Sequence, residues 1–270
     1  MLLTDQVTLM LYGVAALAGL LVGGVSPSLV ISRSVTFALT LLHSLLAGAL
    51  IGVYLEDVAG ISVPPVFTAV AFAIAASILT AEAVTRGFPE DVAVALSVAF
   101  STTVTIILTY VVSVSTPTGM AKAMSYVFGT SAIATVGDAI RLGGAFAIIA
   151  PLTHLLWYEH KYVSFDPEGA EVMGVRVRAY RYLFYSLIAI ASGALSMSLG
   201  VLIAHVAIST PGLVASMKAR RMFLTSYTVS LLMFLGGYSI AYVANLPPSA
   251  GVGALSVAIS AGVMAVMRRA

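Results

Sequence analysis

Residues 35–54, VTFALTLLHSLLAGALIGVY, run for twenty positions without a charged side chain. At 1.5 Å per residue a helix of that length spans about 30 Å, the thickness of a bilayer's hydrocarbon core. The same pattern recurs along the chain between Pro, Gly and charge clusters. It gives nine predicted spans, at 7–27, 35–54, 65–83, 92–113, 139–157, 181–197, 199–217, 222–243 and 250–267. Only Ser196 to Gly200 separate the sixth from the seventh, so these two form either a tight pair or one kinked element, and eight is the alternative count. Of the 270 residues, 60% are hydrophobic and 9% charged, against about 25% charged in a soluble domain. Backbone groups in lipid must satisfy one another, which leaves helices or closed barrels. Apolar runs this long are helical, whereas a barrel shows short alternating strands. The expected fold is therefore all-α: one polytopic transmembrane bundle over residues 1–270.

Orientation follows from the basic residues. With the C-terminus inside, alternation places Arg33, Arg86, Lys161, Arg176, Arg178, Arg181, Lys218, Arg220, Arg221, Arg268 and Arg269 inside, and only Lys122 and Arg141 outside. Cytoplasmic loops carry an excess of Lys and Arg, so the N-terminus is expected outside, the C-terminus inside and the span count odd. The chain begins with an apolar run that has neither a basic leader nor a clear cleavage site, and it reads as a span rather than a removable signal. With no cysteine, thiolate metal sites and disulfides are excluded.

Two segments between spans stand out. Residues 115–138, STPTGMAKAMSYVFGTSAIATVGD, are long and only partly apolar, and are expected to hold a short helix at the outer surface. Residues 158–181, YEHKYVSFDPEGAEVMGVRVRAYR, are the most polar part of the chain. After SFDP they predict a short helix, with Asp166 as cap, Pro167 at the first position, Glu168 favoured by the dipole and Gly174 as stop. A capped helix held between two spans on the cytoplasmic face suits the docking of a partner.

The motifs that the chain lacks narrow the function. It has no phosphate loop GxxxxGK[ST], no GxGxxG, no HExxH and no GxSxG, so neither ATP hydrolysis nor proteolysis is expected of it. It reads as a transport subunit, not an enzyme, with no permanently bound cofactor and no affinity for nucleic acid. Ionisable groups within spans carry functional weight because they are costly there. His43 lies about nine residues from the inner end of its span and His205 about six from the outer end of its own, both near mid-depth. Two imidazoles at one level can hold a transition-metal ion, with Pro211–Gly212 as a helix break close to His205. Hydrogen bonding to a hydroxyl or carbonyl is the plainer reading of each. His154, beside Trp157 and Tyr158, reads as interfacial, and Glu82, close to Arg86 at an inner end, snorkels or pairs there.

The order of VSFDPEGAEVMGV (163–175), YVFGTSAIATVGD (126–138), GVLIAHVAISTPGLVAS (200–216), NLPPSAG (245–251), HSLLAGALIG (43–52) and PEDVAVALSVAFS (89–101) resembles the membrane permease subunit of the ABC-type zinc/manganese/iron importers. The likeness runs from about 33 to 265. Its most specific piece is SFDPExAxxxG, matched by Ser164, Phe165, Asp166, Pro167, Glu168, Ala170 and Gly174. The resemblance implies a homodimer in the plasma membrane, two cytoplasmic ATPase subunits docked on a helix at about 164–174, and an external metal-binding protein that delivers the ion. The chain departs from the pattern where Leu39 replaces an Asp one turn before the histidine and Ala47 replaces a Pro, while His205 stands where the family more often has a small residue. His205 is therefore expected to stand in for the missing carboxylate, and a His43/His205 pair favours zinc over manganese or iron. The alternatives are an ABC permease for a non-metal solute and a stand-alone secondary transporter, which would need mid-span carboxylates.

Overall fold

The computed structural model describes residues 2–118, 121–122, 134–217 and 219–267. Twelve α-helices and no strand are present among them: α1 (Leu2–Ile31), α2 (Val35–Asp57), α3 (Pro65–Thr85), α4 (Glu90–Ser115), α5 (Val136–Leu155), α6 (Trp157–Phe165), α7 (Pro167–Val172), α8 (Val177–Leu199), α9 (Val201–Ala207), α10 (Thr210–Ser216), α11 (Met222–Ala244) and α12 (Pro248–Met267). Seven of the described helices (α1 to α5, α8 and α11) are long and apolar enough to cross a membrane, and α12 adds a shorter described apolar stretch, Pro248–Val263.

The local chemistry of the helix starts agrees with these boundaries. Thr135 and Asp138 form a capping box on α5: Thr135 Oγ1 accepts from the Asp138 amide (3.2 Å) and Asp138 Oδ2 accepts from the Thr135 amide (2.9 Å). Pro65 opens α3, and Glu90 and Asp91 sit in the first turn of α4, where acidic groups complement the dipole.

The expected nine spans are altered in the sixth and seventh. The sixth begins earlier than expected and is one unbroken helix, α8, which ends where Gly200 takes φ +91°. The seventh, 199–217, is two short helices, α9 and α10, with Ile208 and Ser209 between them. Apolar composition alone cannot distinguish a continuous helix from a broken one. The polar stretch after α5 holds two helices where one was expected, since α6 precedes the capped α7. Of the expected outer helix in 115–138, residues 119–120 and 123–133 lie outside the described residues.

Helices α1, α2 and α8 form the buried centre, built from Leu21, Leu29, Phe37, Leu41, Leu42, Leu45, Ile188 and Leu195. Helix α4 lies at the periphery and exposes Leu96, Phe100, Ile107 and Val114 along one side. A stripe like that marks an interaction surface in a soluble protein; on a helix long and apolar enough to cross a membrane it suits lipid or a neighbouring helix. The Gly19–Gly23 pair is an internal contact. A Cβ on Gly23 would meet the Tyr227 Cα at 2.8 Å, and Ser230 Oγ donates to the Gly19 carbonyl (2.5 Å), so α1 and α11 touch backbone to backbone. Replacing Gly23 with Val is expected to force these helices apart and cost on the order of 1–3 kcal/mol. Gly13→Ala, inside α1 with open space around it, is expected to raise the unfolding temperature slightly, since Ala favours a helix interior over Gly, and a thermal melt of the purified variants compares the two.

Candidate metal path and docking element

His43 sits halfway along α2, half-buried, between the fully buried Leu42 and Ser44. Ser44 Oγ lies 2.8 Å from Ser101 Oγ of α4, fastening α2 to its neighbour beside the imidazole. His205 lies on α9, and α9 packs against α2, α8 and α12. The fold thus brings together the two helices that carry the predicted ligands, although the side chains of His205 and Leu39 lie outside the described residues. Among the described residues no group of three or more His, Cys, Asp or Glu gathers in metal-binding range.

The carboxylates at the span ends are engaged elsewhere. Asp57 accepts from Lys122 Nζ at 2.6 and 2.8 Å. Asp138 Oδ1 accepts from Arg141 at 2.5 Å, and Arg141 Nε reaches Ser198 Oγ at 3.4 Å. Glu82 accepts from Arg86 (2.8 Å) as expected, and also from Arg178 (2.6 Å) and the Tyr182 hydroxyl, which joins α3 to α8. His154 is exposed, bonds the Ala150 carbonyl through Nδ1 (2.7 Å) and stacks on Phe223. That fits its interfacial reading.

The break between α9 and α10 is stabilised by groups that sequence reasoning missed. Gly212 N–H donates to Ser26 Oγ (2.7 Å), and Ser26 Oγ donates in turn to the Ser209 carbonyl (3.4 Å). Thr210 Oγ1 lies 2.7 Å from Ser256 Oγ of α12. Main-chain groups freed by a break need such partners inside a bilayer. Gly212 itself is held so tightly on α1 that a Cβ there would collide with the Ser26 carbonyl. Buried serines in otherwise apolar helices were the available signal.

The short capped helix that the motif implies is present, within narrower bounds. Asp166 Oδ1 accepts from the Gly169 amide (2.9 Å), Pro167 opens α7, and Gly174 takes φ +86° after its end. Ser164 and Phe165 belong to the end of α6, where Ser164 Oγ donates to the His160 carbonyl (2.7 Å). Ala170 is fully buried against Val163 and Val177, while Phe165, Val172 and Met173 stand exposed, Val172 by 90%. An apolar patch on the most polar stretch of the chain is a surface suited to a partner.

Helix α6 ties this element to the bundle through His160, another residue that the sequence did not single out. His160 is buried, stacks on Phe184 of α8 (ring centroids 3.7 Å apart) and donates from Nε2 to the Ser28 carbonyl of α1 (3.1 Å). Two residues before Ser28 is Ser26, at the α9–α10 break.

Residues 6–268 match the ABC 3 transport family. The chain belongs to that family. It is a membrane-embedded permease subunit of the metal type, seated in the plasma membrane. No curated protein matches the sequence. Among solved structures, PsaBC from Streptococcus pneumoniae in complex with Fab has a TM-score of 0.75 at 20% identity, covering 92% of this chain and 87% of that one. An inward-facing structure assigned to the metal-chelate type of ABC transporter has a TM-score of 0.67 at 16% identity, covering 94% and 84%. Both likenesses concern the fold.

Burial holds the His160 pKa down at about 4, against about 6.5 for a free imidazole. Above pH 6.5 the ring is neutral in both folded and unfolded chains and contributes no pH dependence. Between pH 6.5 and 4 the unfolded chain takes up the proton first, so stability falls as pH falls, by on the order of 3 kcal/mol at the lower limit. His160→Gln keeps a donor for the Ser28 carbonyl and is expected to remove that part of the acid loss, measured as the difference between the two proteins' melting temperatures across this range.

Proposed function

We propose that the chain is the permease of an ABC importer for a divalent transition metal, with zinc the favoured ion and manganese or iron the alternatives. The observation that carries this reading is the packing of α9, with His205, on α2, with His43, in a chain of the metal-type ABC permease family. Two imidazoles without a carboxylate favour a borderline ion over the harder manganese. The ion is the cargo: the two rings would hold it at mid-membrane and release it as the helices separate.

Transport needs two states, and the chain carries the parts that would link them. In this reading two cytoplasmic ATPase subunits dock on the exposed Phe165, Val172 and Met173 around α7, and two copies of this chain form the membrane unit. A soluble metal-binding protein supplies the ion from outside. Motion of α7 would pass through α6 and the His160–Ser28 bond to α1, then through Ser26 to the α9–α10 break beside His205. The broken α9–α10 pair would serve as one of nine crossings. That count keeps the N-terminus outside and gathers eleven of the thirteen basic residues on the inner face, as the positive-inside bias favours.

The test is metal-stimulated ATPase activity of the permease with its ATPase and binding protein, alongside zinc binding to the purified chain. His43→Ala and His205→Ala are each expected to abolish stimulation by zinc while leaving the assembly intact. Stimulation that survives in both variants would move the function to a non-metal solute. Val172→Asp and Met173→Asp change exposed positions, so they are expected to leave the melting temperature unchanged and to prevent co-purification with the ATPase.

A further inference from the structure

The end of the bundle that carries Arg33, Lys161, Arg220 and Arg221 holds a cleft outside the proposed metal path; the cleft shares only Phe165 with the docking patch. It measures about 440 Å³ and is lined by Arg33, Trp157, Lys161, Phe165, Ser216 and Met222, with the last turn of α1 as its floor. Helix α1 ends at Ile31 and α11 begins at Met222, so the cleft opens at the level where membrane-crossing helices stop. That level is the headgroup layer of a bilayer.

Its chemistry is cationic. Among the described residues Arg33, Lys161, Arg220 and Arg221 form no ion pair with a carboxylate. The Lys161 ammonium lies over the ring faces of Tyr158 (4.5 Å) and Trp157 (5.7 Å), which place the charge without neutralising it. Arg33 sits at φ +58°, in the left-handed region, within the turn between α1 and α2. Arg220 and Arg221 are exposed on the 3₁₀ turn that leads into Met222.

The helix ends at this side of the bundle also expose apolar side chains. Leu155 at the end of α5, Tyr158 and Phe165 on α6 and Leu224 in the first turn of α11 are all strongly exposed. The Trp157–Phe223 ring contact (centroids 4.7 Å) brings the starts of α6 and α11 together. Unpaired cations at headgroup depth beside exposed apolar side chains complement a molecule with an anionic head and acyl tails. We propose that this cleft binds the headgroup of an anionic phospholipid, with Arg33 and Lys161 on the phosphate and the apolar side chains beside it on the tails. Basic pockets between membrane helices on the cytoplasmic side are suited to such headgroups. A soluble phosphate would leave the apolar part without a partner.

The experiment uses the purified full chain, given phosphatidylglycerol and phosphatidylcholine in equal amounts and read by native mass spectrometry and thermal unfolding. Inorganic phosphate forms a third arm. Phosphatidylglycerol is expected to be retained and to raise the melting temperature, with phosphatidylcholine and phosphate doing neither. The Arg33→Gln/Lys161→Gln variant is expected to bind it about thirty-fold more weakly, about five-fold per charge lost, and Arg33→Lys/Lys161→Arg to retain it. Equal retention of the two lipids, full stabilisation by phosphate, or undiminished binding in the neutral variant would overturn the proposal. If the neutral variant fails to fold, salt added to the native chain decides: retention of phosphatidylglycerol must weaken as salt screens the charges, and retention indifferent to salt overturns the assignment. Release of the lipid when the ATPase is added would also overturn it, assigning the cleft to the docking surface.

Discussion

A peptide group inside a bilayer has no water to turn to, and an unsatisfied one costs several kcal/mol. In this chain the constraint is felt most where α8 ends at Gly200 and the next two helices are only seven residues each. The interruption persists because Ser26 reaches across from α1, taking the Gly212 amide proton and donating its own to the Ser209 carbonyl. Thr210 and Ser256 secure the other side, on α12. Without hydroxyls at those positions the main-chain groups freed at the break would be left without partners in the bilayer.

Helix α1 is consequently more than a span. Its Gly19–Gly23 face lets α11 approach backbone to backbone, Ser26 holds the break, and the Ser28 carbonyl receives His160 from α6. Three contacts within ten residues connect α11, the broken pair and the α6–α7 segment to one helix. The segment that carries α7 is thus fastened to the membrane-crossing helices by a hydrogen bond and a packed ring, both made by His160.

Polar and apolar surfaces divide by depth and by partner. The peripheral α4 turns Leu96, Phe100, Ile107 and Val114 outward, where they suit lipid or a neighbouring helix. At the basic end, Phe165, Val172 and Met173 are exposed on a segment otherwise rich in charge. The Glu82, Arg86, Arg178 and Tyr182 cluster steadies the start of α8 directly after α7. Its exposure keeps its contribution to stability small.

The sequence by itself determined the class of structure, because twenty-residue apolar runs cannot satisfy their backbone in lipid except as helices. It also determined the capped α7, since Asp166, Pro167 and Gly174 act through local backbone geometry alone, and the family followed from the motif around them. The sequence marked a break within 199–217 at Pro211–Gly212, and only the tertiary structure placed it at Ile208–Ser209: its place depends on a distant side chain, here Ser26, that satisfies the freed main-chain groups. The role of His160 depends in the same way on a carbonyl 132 residues away. The adjacency of α2 and α9 was likewise beyond the sequence, which gives depth along each helix but not which helices become neighbours.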